Sequence, residues 1–270
     1  MPPARSTLSC YKASGASSST RFTRSVERVR SPFLLEIPGE ACDRPLQNRC
    51  GTCGGAGADD VHAVGDSGTL LHYNGRSWQS KPSPTLAALY GIWGSGPRDL
   101  YAVGDSGTLL QYDGSSWRET APPTPYSLYA VWGAAPSNVF AVGDAGTILH
   151  HNGLSWQTME SPTHEALQAV WGSGPDNVFA AGSAGTILRF DGTAWQIMDS
   201  GTDVLLSGIQ GTGPDNVYAV GASGTLLHYD GKGWLPMRSH ITANFTAISP
   251  QLGRWFIVAG PREGVFRLRR

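Results

Sequence analysis

Ala102-Val103-Gly104-Asp105-Ser106-Gly107-Thr108-Leu109-Leu110-Gln111-Tyr112-Asp113-Gly114-Ser115-Ser116-Trp117 is one copy of a pattern that recurs along this chain every 39 residues. Its leading glycine falls at Gly65, Gly104, Gly143, Gly182, Gly221 and Gly260, and its closing tryptophan at Trp78, Trp117, Trp156, Trp195 and Trp234. No insertion or deletion interrupts the series. A fixed period of this length marks supersecondary units that bury their apolar faces only against one another.

Outward from that stretch, residues 87–125 read as four short strands. Leu89 to Trp93 is the first, ending at Gly94 and followed by a Gly96-Pro97-Arg98-Asp99 turn. Leu100 to Val103 is the second and Thr108 to Tyr112 the third. Asp113-Gly114 then signals a hairpin into a fourth that opens at Trp117. Four antiparallel strands per repeat describe a propeller blade. In the second strand, Leu100 and Val139 project one way, and Tyr101, Phe140, Phe179 and Tyr218 the other. A sheet wet on one face would alternate apolar with polar, whereas sheets stacked around a ring need both faces apolar. The expected fold is an all-β propeller of six four-stranded blades. Because the chain supplies six copies of the inner strands but only five of the fourth, residues 33–37 (Phe33-Leu34-Leu35-Glu36-Ile37) are predicted to close the last blade beside residues 265–268.

Residues 1–30 form a tail, and residues 31–270 the propeller, with repeats from about residue 50. The tail is rich in serine and carries Arg5, Lys12, Arg21, Arg24, Arg28 and Arg30 against Glu27 alone. It lacks the apolar segment of a secretory signal, and its composition fits a disordered tail or an organellar transit peptide. The net charge of -1 implies no global attraction to nucleic acid or anionic membrane, and no apolar run has the length of a membrane span.

Several motifs invite chemistry. Gly104-Asp105-Ser106-Gly107 resembles a serine nucleophile loop, but later copies read Gly143-Asp144-Ala145-Gly146 and Gly182-Ser183-Ala184-Gly185. Serine drifts while both glycines persist, the behaviour of a turn needing positive φ. Asp66, Asp105 and Asp144 are expected to close these loops as Asx turns, since one carboxylate per loop is too few for calcium. His72, His150 and His228 share a phase with Gln111 and Arg189, a polar slot on separate blades. Cys42, Cys50 and Cys53 form a cluster near the closure seam that suits one disulfide better than a zinc site, with His62 the nearest histidine. The expectation is therefore no catalytic residue, no metal and no cofactor. Trp78, Trp117, Trp156, Trp195 and Trp234 are read as packing wedges between blades. Trp93, Trp132 and Trp171 end the first strand nearest the axis, and the phase becomes Gln210 and Gly54 elsewhere, which makes them candidates for ligand stacking as well as packing.

The recurrence of Ala-Val-Gly-Asp-x-Gly-Thr before Asp-Gly-x-x-Trp resembles the bacterial propeller repeats related to the BNR/Asp-box class. That class includes sialidases, lectins and photosystem II assembly-factor propellers. The resemblance spans about residues 50–270 and implies a propeller. The Asp-box places Asp two before Gly, whereas here Asp113 directly precedes Gly114, and no arginine recurs in the body of the ring, so sialidase chemistry does not carry over.

The functional expectation is a non-enzymatic monomeric platform presenting loops to a protein or glycan partner. A lectin, a glycoside-acting enzyme and an assembly factor for a membrane complex are the alternatives. The cysteines favour an extracellular or cell-envelope setting.

Overall fold

A computed structural model of the protein describes residues 27–28, 50–57, 60–121, 123–250, 255–260 and 264–269, with side chains from residues 60–121 and 123–249. The chain forms six four-stranded antiparallel sheets, each made of consecutive strands except the last. Blade 1 contains Cys50–Gly57, Asp60–Gly65, Thr69–Tyr73 and Trp78–Ser80. Blade 2 contains Leu89–Gly96, Asp99–Gly104, Leu109–Tyr112 and Trp117–Thr120. Blade 3 contains Leu128–Ala135, Asn138–Gly143, Ile148–His151 and Trp156–Thr158. Blade 4 contains Leu167–Gly174, Asn177–Gly182, Ile187–Phe190 and Trp195–Met198. Blade 5 contains Leu206–Gly213, Asn216–Gly221, Leu226–Tyr229 and Trp234–Pro236, and blade 6 contains Ala247–Pro250, Trp255–Gly260 and Gly264–Arg269.

The outer strand of blade 6 comes from the N-terminal segment, as expected, but from different residues. Glu27–Arg28 pairs antiparallel with Gly264–Arg269, Glu27 opposite Arg267 and Arg28 opposite Phe266. The predicted closing segment, residues 33–37, lies outside the described residues, and the pairing at Phe266 and Arg267 is taken by a stretch several positions earlier. Sequence similarity to an outer strand fixes neither register nor offset for so short a pairing.

Apolar residues on both faces of the middle strands put the core between blades. Phe140 and Ile148 of blade 3 pack with Leu167, Val178 and Leu188 of blade 4, and Phe179 and Ile187 of blade 4 pack with Leu206 and Val217 of blade 5. Successive first strands lie side by side from blade 1 through blade 6, nearest the axis. The outer-strand tryptophans of blades 2 to 5 also meet a ring of the preceding blade edge-on: Trp117 meets His62 at 6.3 Å, Trp156 meets Tyr101 at 5.6 Å, Trp195 meets Phe140 at 5.8 Å, and Trp234 meets Phe179 at 6.1 Å. Edge-to-face pairs of this kind add about 0.5–1.5 kcal/mol beyond area burial.

The two rims of the propeller differ in construction. On one rim, the hairpin between third and outer strands is closed by an Asp or Asn side chain. Asp113 Oδ1 accepts from the backbone N–H groups of Ser115 and Ser116, both at 2.9 Å. Asn74, Asn152, Asp191 and Asp230 repeat the arrangement. On the opposite rim, the Gly-Asp-x-Gly loops pack against the linkers between blades, as where Gly68 N–H donates to the Ala87 carbonyl at 2.8 Å. The two loop glycines persist for different reasons. Gly107 has φ +75, as predicted for a turn glycine, but Gly104 has φ −167, which is extended backbone. A Cβ on Gly104 would lie 2.1 Å from the Ala88 carbonyl oxygen, so close approach of the linker excludes a side chain there. The other residue with positive φ is the variable one, Ser106 at 53 and Ala145 at 53.

Candidate functional site

Three groups of side chains hold the polar and aromatic chemistry of the described residues. The first lies along the axis. Trp93, Trp132 and Trp171 are half-buried, and each lays its six-membered ring on a glycine of the next blade. A Cβ would stand 2.7 Å from Trp93 Cη2 if built on Gly133, and 2.5 Å from the same atom of Trp132 and Trp171 if built on Gly172 and Gly211. Trp93 also stacks on Tyr101 at 6.4 Å and 19°. These indoles therefore have one face committed to packing.

The second group lies where the first strands enter from the linker rim. Tyr90 and Tyr129 are 5.6 Å apart, and their hydroxyls donate to Asp105 Oδ1 at 2.6 Å and Asp144 Oδ1 at 2.8 Å. Burial, and then the hydrogen bond to Asp144, push the Tyr129 hydroxyl up to about 12. For Asp105 and Asp144 this overturns the expectation that the loop aspartates close Asx turns. The loops are instead closed by backbone bonds, such as Thr108 N–H to the Asp105 carbonyl at 2.9 Å, and no side-chain cap is formed. The Asx turns sit in the Asp-Gly hairpins on the other rim. Loop aspartate and axial tyrosine lie 15 residues apart in sequence, and only the register of the first two strands brings them together.

The third group is the slot between second and third strands. His150 Nε2 lies 3.3 Å from Asn138 Oδ1, with its ring 4.7 Å from Phe140. His228 Nε2 lies 2.9 Å from Asn216 Oδ1, and its ring stacks on Tyr218 at 4.6 Å. In blade 4, Arg189 Nε donates to Asn177 Oδ1 at 2.9 Å while the guanidinium sits 5.7 Å above Phe179. The histidines of this phase do lie on separate blades, as the repeat predicts. Blade 1 departs from the pattern. There His72 Nε2 is 2.7 Å from Asp60 Oδ1, His62 Nε2 is 3.5 Å from the same oxygen, and the two imidazoles stack at 4.4 Å and 21°. Burial, with His72 alongside, lowers His62 from its ordinary value to about 4, which keeps it neutral. His62 occupies the phase of Tyr101 and Phe140 and His72 the polar slot, and the sequence reading did not join them. The signal was present in the repeat, because those two phases are cross-strand partners throughout.

Cys42 lies outside the described residues. Cys50 and Cys53 belong to the first strand of blade 1, in register with Gly65 and Ala63. Among the described residues no helix is long and apolar enough to cross a membrane.

No family model matches the chain, and no curated protein matches it. Solved structures do. The chain is similar to YCF48 from Cyanidioschyzon merolae, with a TM-score of 0.64 and 17% identity over 82% of this chain and 80% of that one. The likeness is one of fold, a β-propeller. A structure titled YCF48 bound to D1 peptide aligns with a TM-score of 0.47 and 15% identity, over 83% of this chain and 92% of that one. The resemblance to photosystem II assembly-factor propellers drawn from the repeat motif is thus found again in three dimensions.

Proposed function

We propose that this propeller is a non-enzymatic binding platform whose linker rim receives a basic segment of a protein partner. The observation that carries this reading is the mixture of acidic and exposed apolar side chains on the linker rim. On the hairpin rim, Asp113, Asp191 and Asp230 close turns and Asp99 accepts from Ser95 at 2.6 Å, while on the linker rim Asp105 and Asp144 accept from Tyr90 and Tyr129. The loops and linkers of the linker rim carry Asp66, Asp105, Asp144, Glu160, Glu165, Asp199 and Asp203, against Lys81 and Arg238. The same linkers expose Leu86 (87%), Tyr126 (51%) and Leu205 (41%). Acidic side chains interspersed with exposed apolar ones suit a cationic, partly apolar protein surface, with the charges speeding encounter. The uncovered faces of Trp93, Trp132 and Trp171 are proposed as an axial extension of this surface. An assembly-factor role is one instance of such binding, and the kinship in fold with YCF48 propellers is compatible with it.

Photoreactive residues placed singly at Tyr126, Leu205 and, on the hairpin rim, Leu154 test the proposal in the source cells. Discrete protein adducts from Tyr126 and Leu205, weakened by salt and absent from Leu154, are the expected result. Adducts confined to Leu154 overturn the assignment of the rim. Glycan-array binding by folded protein without protein adducts replaces the platform with a lectin.

A further inference from the structure

Blades 3, 4 and 5 fill the slot between second and third strands with an amide and an aromatic ring, at Asn138 and Phe140, Asn177 and Phe179, and Asn216 and Tyr218. Blade 1 alone combines a carboxylate with two imidazoles. We propose that Asp60, His62 and His72 form a binding site for one divalent transition-metal ion of the zinc, cobalt and nickel kind.

The three donor atoms all lie within 4.8 Å of one another. Metal–nitrogen and metal–oxygen bonds near 2.0–2.2 Å hold neighbouring ligand atoms about 3 Å apart. The 2.7 Å and 3.5 Å separations from Asp60 Oδ1 already bracket that spacing. All three residues stand on paired strands, so the backbone is fixed; His62 and His72 are directly opposed in register. Their rings are stacked, so the two Nε2 atoms run side by side, and Nε2 of His72 carries the proton it donates to Asp60 Oδ1. Coordination displaces that proton and turns one imidazole about χ2 until the two Nε2 atoms converge on one ion. His72, 21% exposed, has the room, whereas His62, at 3%, is the fixed partner. Nδ1 of each ring is buried without a hydrogen-bond partner among the described residues, so no second bond tethers either ring against that turn. Partial exposure of His72 and Asp60 supplies an entry path.

The donor set selects the metal. Two imidazoles and one carboxylate suit borderline cations, whereas calcium and magnesium seek six or more oxygens. Three protein ligands leave a fourth position to water. The ion would tie the turn at the start of the second strand to the third strand of the same blade.

Chelator-stripped full-length protein titrated with Co²⁺ and then Zn²⁺, followed by absorption and calorimetry, tests the site. The expected result is one equivalent bound per chain, with visible cobalt bands and no thiolate charge-transfer band. Asp60→Asn and His72→Gln should each abolish uptake. Both variants place in blade 1 a residue that other blades carry at the same phase, Asn138 and Gln111, so folding is preserved. His228→Gln, in the equivalent slot of blade 5, should leave uptake unchanged. A thiolate band would assign the metal to the cysteines and overturn the proposal. Absence of uptake by the unaltered protein, or uptake that survives both blade 1 variants, would overturn it equally.

Discussion

The indole of Trp132 rests on Gly172 of the following blade, so closely that a single methyl group on that glycine would meet the ring at 2.5 Å. The ring has no flexible end to yield. Gly172→Ala should destabilise the protein by about 1–3 kcal/mol, the usual cost of overpacking, despite the lower backbone entropy of alanine. Gly213→Ala, at a first-strand glycine with nothing within 4 Å, should stay within about 0.5 kcal/mol of the parent. Chemical denaturation of both variants decides it, and equal stabilities would show that the indole moves aside.

The Gly-Asp-x-Gly loop holds its variable residue in the left-handed region, with Ala145 at φ 53. Ala145→Gly should relieve that strain and raise stability by up to about 1 kcal/mol. Gly146→Ala should do the reverse, losing more than about 2 kcal/mol, because φ is +68 and a Cβ would stand 2.0 Å from the Thr163 carbonyl oxygen. Thermal unfolding of the pair checks the opposite signs.

The indole Nε1 of Trp195 is buried with no hydrogen-bond partner among the described residues, as are those of Trp78, Trp117 and Trp234. The tryptophan is thus held by ring packing alone. Trp195→Phe should cost less than about 2 kcal/mol, and Trp195→Ala about 3–5 kcal/mol. A phenylalanine variant as damaged as the alanine one would reveal a bond at the indole nitrogen.

Three hydrogen bonds from Thr193 and Ala194 hold the exposed Asp191 carboxylate down to about 2. A depressed carboxylate stabilises the fold above its unfolded value, near 3.9, and that contribution is lost as pH falls through the folded value. Stability should therefore fall between about pH 4 and 2. Asp191→Asn, which matches Asn74 and Asn152 in the equivalent turns, should flatten that part of the acid-unfolding profile. An unchanged profile would sink the assignment.

Most of the architecture was legible because the repeat reports each structural phase several times. Residues that persist, such as Gly104 and Trp117, are separated by eye from those that drift, such as Ser106. The period gave the blades, the Asp-Gly pairs gave the hairpins, and the double-sided apolar strands gave the stacking. Three things were not legible, each for a geometric reason. Closure by Glu27–Arg28 depends on a two-residue pairing too short to carry a hydrophobic pattern. The Tyr90–Asp105 bond depends on the register of the first two strands, whereas a polar residue in a Gly-rich loop reads by default as a turn former. The grouping of Asp60, His62 and His72 arises because cross-strand partners ten residues apart share a face, which a scan of contiguous motifs passes over.

The contact from Trp93, Trp132 and Trp171 always reaches forward, from one blade onto the next and never back. The joints between modules thus have polarity, with a knob on one side and a hole on the other. Blade 1 has Gly54 in place of a knob, while the joint from blade 5 to blade 6 has Gln210 in place of the knob and Pro250 in place of the hole. Blades 2 to 4 are therefore interchangeable parts. A whole repeat duplicated or excised among them would find matching joints at both ends, whereas the same operation at the boundary units would not. Gain and loss of blades during descent would accordingly be confined to the middle of this chain.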